Sequence, residues 1–116
     1  MIIKKTVILD GLVPQMFFAC GVVQAVYAAR GYRALITAAL DSHDSDPIAI
    51  HREGRACDFR VHMLKPDELI AIFDELETVL NPLGFDVLYE DKSTPNEHIH
   101  IEWDPKGTES IFTKES

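Results

Sequence analysis

The chain has 116 residues, 47% of them hydrophobic, and a formal net charge of -8. This length implies one domain, residues 1–116 with a polar tail from about 105, and the apolar content suffices for a core, so wholesale disorder is excluded. The negative field repels DNA and RNA, and the one dense basic group (Arg52, Arg55, Arg60) is too short for a nucleic-acid stripe.

Ile2 to Leu9 is β-branched and apolar and reads as a first strand, closed by the turn signal Asp10-Gly11. Pro14 suits a helix start, and the helix runs to about Arg30 with Gly31 as its stop. Its positions Phe17, Cys20, Gly21, Gln24, Tyr27 and Ala28 share one side. Because the segment is apolar nearly all round, it is expected to be largely buried. Met16 to Ala29 is too short to span a bilayer, and no A-x-A-like cleavage site follows Lys4-Lys5. The expectation is therefore no membrane span and no signal peptide, with a cytoplasmic location before any release. Cys20 and Cys57 read as core thiols in a reduced compartment.

Tyr32 to Leu40 reads as a strand, and Asp41 to Pro47 as a polar loop. Arg55 to His62 alternates, with Cys57, Phe59 and Val61 toward the core and Ala56, Asp58, Arg60 and His62 on the other face. Pro66 to Leu80 is the clearest helix. Pro66 opens it, Asp67 and Glu68 suit its positive end, and Leu69, Ile72, Phe73, Leu76, Val79 and Leu80 form its stripe. Phe85 to Tyr89 is a strand, Glu90 to Asn96 a turn, and His98 to Trp103 a second alternating strand with Ile99, Ile101 and Trp103 inward. The order β-α-β-loop-β-α-β-β gives an α+β fold, a small, mostly antiparallel sheet with helices packed on one face and the other face left for a site.

Two stretches carry the chemistry. Ala49 to Asp58 holds His51, Gly54, Ala56 and Asp58 as H-x-x-G-x-A-x-D. Glu97 to Glu102 holds E-x-x-H (Glu97, His100) and H-x-H (His98, His100). Imidazole and carboxylate are the nitrogen and oxygen ligands of catalytic zinc, which takes three protein ligands and keeps a fourth position open. His51, Asp58 and His100 can supply the three, with Glu97 or His98 as base on the bound water. Parity supports this set: both strands place metal-type side chains opposite their apolar residues. Strict alternation aims Glu97 away from His100, so it reaches the site only if the strand begins after it, as Pro95-Asn96 allows. Glu102 is placed to hydrogen-bond a ligand from behind. Arg52, Arg55 and Arg60 flank the ligands and are the candidates for binding substrate.

These two motifs, in this order and spacing, resemble the zinc-dependent D-Ala-D-Ala peptidases, a superfamily that includes phage endolysins and the Hedgehog domain. The resemblance covers roughly Gly31 to Trp103. It implies that His51, Asp58 and His100 bind Zn2+, that Glu97 is the general base and that His98 steadies the transition state. It also implies hydrolysis of a D-alanine-containing peptide bond in peptidoglycan stem peptides or their precursors, in a Hedgehog/DD-peptidase-like fold. The size and the missing export signal suit a phage or prophage lysis enzyme or a cytoplasmic dipeptidase. Two positions depart from the family pattern: Ala49 stands where relatives carry Ser, and Ala38-Ala39-Leu40-Asp41 stands where they carry Ser-Gly-Tyr-Arg. These departures motivate the alternative, a catalytically inactive zinc-binding recognition module on the same fold.

Overall fold

Two proline-initiated helices and five strands make up the described residues, 1–39 and 54–104, of the computed structural model. In chain order they are β1 (Ile2–Ile3), α1 (Pro14–Ala29), β2 (Leu35–Ala38), β3 (Ala56–Arg60), α2 (Pro66–Leu80), a 3-10 turn (Asn81–Leu83), β4 (Phe85–Glu90) and β5 (His98–Trp103). The strands form one sheet in the order β1-β2-β3-β5-β4. The fold is α+β. The sheet is mixed: β1 runs parallel to β2, and the other three pairs are antiparallel.

The first strand is shorter than expected. Ile2 and Ile3 pair with Leu35 and Ile36, and then the chain turns, with Val7 N–H donating to the Lys4 carbonyl and Leu12 N–H to that of Leu9. Val7 and Leu9 leave the ladder but still pack against the core. β2 occupies only Leu35–Ala38 of the expected Tyr32–Leu40 strand. Leu40 lies outside the described residues.

One core cluster joins the inward side chains of the sheet to both helices. It contains Phe59, Cys57, Ile99, Ile101 and Ile36 from the strands, Met16, Val23 and Tyr27 from α1, and Ile72, Leu76 and Leu80 from α2. Both helices thus cover the same face. Burying each large side chain of this set contributes about 1.5–3 kcal/mol.

α1 differs from its expected orientation. Its buried positions are Met16, Ala19, Cys20, Val23, Val26 and Tyr27, whereas Phe17 and Phe18 are 55% and 53% exposed. A helix lying beside a second helix on one sheet presents a single stripe to the core, and uniform apolarity does not say which stripe. α2 has the expected bounds and buries Ile72, Leu76 and Leu80. Among the described residues, no helix is long and apolar enough to cross a membrane.

Two glycines fix the chain's path. Gly31 takes φ +85° just after α1 and lets the helix stop. Gly54 takes φ +74° against Gly11, where a Cβ would overlap the Gly11 carbonyl oxygen, and its own carbonyl accepts from Val13 N–H at 3.0 Å. The entry to β3 is thereby pinned to the start of α1. Tyr27 extends this link, since its hydroxyl donates to the Arg60 carbonyl at 2.9 Å. Cys20 and Cys57 are buried and not joined in a disulfide, with sulfurs 3.9 Å apart.

Candidate metal centre

The face of the sheet opposite the helices carries the site, and the ladder register sets its plan. β3, β5 and β4 align Arg60–His98–Glu90 in one row, Asp58–His100–Leu88 in the next and Ala56–Glu102–Asp86 in the third. Each row alternates with an apolar row on the core face, such as Phe59–Ile99–Tyr89. The parity expected for Asp58, His98 and His100 is therefore the parity found. What periodicity did not indicate is how dry this face is: Asp58, His98 and His100 are only 6%, 7% and 7% exposed.

Asp58, Glu90, His98 and His100 converge, each offering a ligand atom within 4.8 Å of the others. Asp58 Oδ1 lies 2.8 Å from His100 Nδ1, and Asp58 Oδ2 lies 3.6 Å from His98 Nε2. Glu90 Oε1 is 3.0 Å from His98 Nε2 and 3.8 Å from His100 Nδ1. The outer ring nitrogens are engaged elsewhere. His98 Nδ1 is 2.6 Å from the Asn96 carbonyl oxygen, and His100 Nε2 is 2.8 Å from Glu102 Oε1.

These outer partners only accept hydrogen bonds, so each outer nitrogen carries its proton. A neutral imidazole then presents a lone pair at its inner nitrogen. Both inner nitrogens face carboxylate oxygens, an arrangement that a shared proton or a metal ion between them would satisfy. Outer nitrogens oriented by a carbonyl and a carboxylate are also how metal-ligating histidines are held. The cluster can therefore bind a metal ion. Its two nitrogen donors set it apart from the all-oxygen cages that calcium and magnesium take.

Without a metal the proton takes that place. Burial alone disfavours the His100 cation, but hydrogen bonds to Asp58 and Glu102 and the charges of Asp58 and Glu90 outweigh it and push its pKa up to about 10.

The remaining expected site residues fall in several places. Glu102 stands behind His100, as expected of a residue supporting a ligand. His98 sits inside the cluster as a further candidate ligand. Arg60 is exposed and lies beside His98 in the register. Arg55 donates from its guanidinium to the Trp103 carbonyl at 3.2 Å, tying the start of β3 to the end of β5. His51 and Arg52 lie outside the described residues, as do Ala49 and Asp41.

Glu97 is not brought to the cluster. β5 does begin at His98, after Glu97, yet the Glu97 carboxylate accepts from the Tyr89 hydroxyl and from Ser93 N–H. These bonds hold its carboxyl below the usual range, and burial together with Glu97 pushes the Tyr89 phenol up to about 12. Alternation aims Glu97 away from His100, and its carboxylate is not among the converging ligand atoms.

Glu90 is the member that sequence reading missed. It was assigned to a turn, but β4 continues one residue past Tyr89 and carries it onto the site face. Extending the alternation of Asp86 and Leu88 by one step would have found it. A neighbouring group, Asp86, Glu102 and Asp104, brings three more carboxylates together. Burial and the charges of Glu102 and Asp104 push the Asp86 carboxyl upward. Comparison with protein-family models, with curated proteins and with solved structures gives no match to this chain.

Proposed function

We propose that the chain is a zinc-dependent peptidase acting on peptidoglycan-type peptides that contain D-alanine. The observation that carries this reading is the pair of inner nitrogens, His98 Nε2 and His100 Nδ1, aimed at the Asp58 and Glu90 carboxylates while their outer nitrogens are held by Asn96 and Glu102. The substrate class rests on the two sequence motifs and their resemblance to the D-Ala-D-Ala peptidases.

Asp58 and His100 are the ligands on which motif and geometry agree. The motif adds His51, and the geometry adds His98. A bound divalent ion would lower the pKa of a water and polarise the scissile carbonyl. The protein's own part is to hold the ion, exclude bulk water and move the proton. We assign proton transfer to Glu90, supported by its side chain being 41% exposed, against 9% for Asp58, His98 and His100, and by its reach of 3.0 Å to His98 Nε2. It therefore takes the base role that the resemblance gives to Glu97.

The test is zinc content and release of D-alanine from N-acetyl-D-alanyl-D-alanine and muropeptides, measured together on wild type, His51→Ala, Glu90→Gln and Glu97→Gln. The reading expects about one zinc per chain, with Glu90→Gln keeping zinc and losing hydrolysis. If Glu97→Gln alone loses hydrolysis, the base is Glu97. Zinc-loaded wild type without hydrolysis over a broad pH range overturns the peptidase.

A second reading is supported by the mutual reach of all four ligand atoms. Four protein ligands close a tetrahedral site, which is the structural form of zinc. The chain would then be a zinc-bearing recognition module, and Glu90→Gln would lose zinc and have no hydrolytic rate to remove.

A further inference from the structure

Three evenly spaced contacts join α1 to β3. At the start of the helix, Val13 N–H donates to the Gly54 carbonyl at 3.0 Å. Near its end, the Tyr27 hydroxyl donates to the Arg60 carbonyl at 2.9 Å. Midway between them, about two helical turns from each, Cys20 faces Cys57 with the sulfurs 3.9 Å apart. Cys57 stands on the core face of the strand, directly before Asp58 of the metal cluster. From Val13 to Tyr27 a helix rises about 21 Å, and from Gly54 to Arg60 a strand rises about 20 Å. The two elements run in step, and the hydrogen bonds at either end hold the thiols opposite one another. Disulfide sulfurs stand about 2.05 Å apart, so closure needs a movement of about 2 Å, on the scale of a cysteine side-chain rotation.

The two sulfurs are not equivalent. Cys20 is 8% exposed and Cys57 0%. Beside Cys20 on the helix stands the exposed Gly21, where an added Cβ would meet nothing within 4 Å. A small oxidant therefore meets Cys20 first. The adjacent Cys57 thiol also lowers the Cys20 pKa, against the effect of burial, and so favours its thiolate.

We propose that Cys20 and Cys57 are an oxidisable pair that hydrogen peroxide closes into a reversible disulfide, clasping α1 to the strand that carries Asp58. The Cys20 thiolate attacks one peroxide oxygen. The O–O bond breaks, the departing hydroxide takes up the Cys20 proton as water, and Cys20 becomes a sulfenic acid. The Cys57 sulfur then attacks the Cys20 sulfur. An S–S bond forms, the S–O bond breaks, and the hydroxyl leaves as water with the Cys57 proton. Two thiols and one peroxide give one disulfide and two waters. The sulfurs lose two electrons, and the peroxide oxygens gain them. The clasp depends on neither the metal nor the peptidase reading.

The test treats folded wild-type protein with a slight molar excess of hydrogen peroxide. Thiols are counted in denaturant, and intact mass and peptide mapping locate the bond. The expected product has lost both thiols and two hydrogens, links the Cys20 and Cys57 peptides within one chain, and returns to the dithiol with dithiothreitol. Because the bond joins residues 37 positions apart, the thermal midpoint should rise by about 5 °C or more. With dimedone present, Cys57→Ala should be labelled at Cys20, and Cys20→Ala should stay unlabelled at Cys57. Wild type that keeps both thiols, cross-links only between chains, or closes the bond only in urea overturns the proposal, whatever either variant does. A midpoint that falls on oxidation overturns the clasp, and dimedone on Cys57 overturns the order of attack.

Discussion

His100 Nδ1 lies 2.8 Å from Asp58 Oδ1, and the two residues are direct cross-strand partners in the β3–β5 ladder. Forty-two positions separate them in sequence, so the pair exists only once the sheet has formed. Metal affinity should therefore report on folding, because a site assembled from two strands is absent from the unfolded chain. Zinc should raise the thermal midpoint in a concentration-dependent way, and Asp58→Asn should abolish that rise. A zinc-induced increase that persists in Asp58→Asn would place the ion elsewhere.

Glu102 is expected to tune the metal without touching it. Its carboxylate fixes the proton on His100 Nε2 and so keeps Nδ1 free to ligate. Glu102→Gln removes the charge and makes the tautomer ambiguous. The variant should bind zinc roughly 10–100-fold more weakly in a chelator-competition titration while keeping its stoichiometry. A change below about twofold would mean that His100 is oriented by its strand alone.

The metal-free protein should lose stability as pH rises. His100 is raised from its ordinary value, about 6.5, to about 10 in the folded chain. A histidine whose folded pKa exceeds its unfolded pKa stabilises fully below the unfolded value, and the gain disappears as pH climbs through the folded one. Urea midpoints of chelated protein should fall between about pH 6.5 and pH 10. A bound metal ion should reverse the trend, since ligation would displace the proton and binding would tighten with pH. An NMR titration in which the His100 ring of chelated protein loses its proton near pH 6.5 would refute this account.

How far the sequence foretold these features depends on the kind of pattern each one leaves. α2 was legible to its bounds because Pro66, an acidic first turn and a strong apolar stripe all agree. β5 was equally clear, since His98 to Trp103 alternates without a break. α1 was legible as a helix but not as a face, because apolar residues on every side leave the choice to tertiary packing. The two-residue β1 rests on pairing with a distant strand, which no local pattern encodes. At the site, Asp58, His98 and His100 followed from parity. Glu90 was lost to a strand boundary misplaced by one residue, the least reliable part of any such reading. Glu97 shows the converse: alternation aimed it away from His100, and an irregular strand start did not bring it to the cluster.

Gly54→Ala should destabilise the fold well beyond the usual cost of a surface change. The backbone there sits at φ +74°, and an added Cβ would overlap the Gly11 carbonyl and lie 3.1 Å from Leu12 Cα. A left-handed non-glycine residue costs about 1–3 kcal/mol before any clash is counted. Because both obstructing groups are backbone, relief requires moving the start of α1 away from the entry to β3. Urea unfolding should show a loss of about 2 kcal/mol or more. A loss under about 0.5 kcal/mol would show that the Gly11–Gly54 approach is slack.

Tyr27→Phe tests the connection between the helical layer and the site face. Tyr27 is fully buried in the core, and its hydroxyl donates to the Arg60 carbonyl at 2.9 Å. Burial pushes its phenol well above the usual range, so the group stays a neutral donor throughout the working pH range. Phenylalanine keeps the ring and its packing but removes that donor. The expected cost is about 1–2 kcal/mol, the usual penalty for depriving a buried acceptor of its partner. The consequence for the site is more specific. Arg60 is the last residue of β3 and the direct partner of His98, so freeing its carbonyl loosens the end of the strand that faces the cluster. Amide hydrogen exchange should quicken from Arg60 to His62 and at His98, while zinc stoichiometry is retained because Asp58 lies two residues deeper in the ladder. Faster exchange confined to α1, with β3 unchanged, would mean that the hydroxyl anchors the helix alone and that the strand end is held by its own ladder.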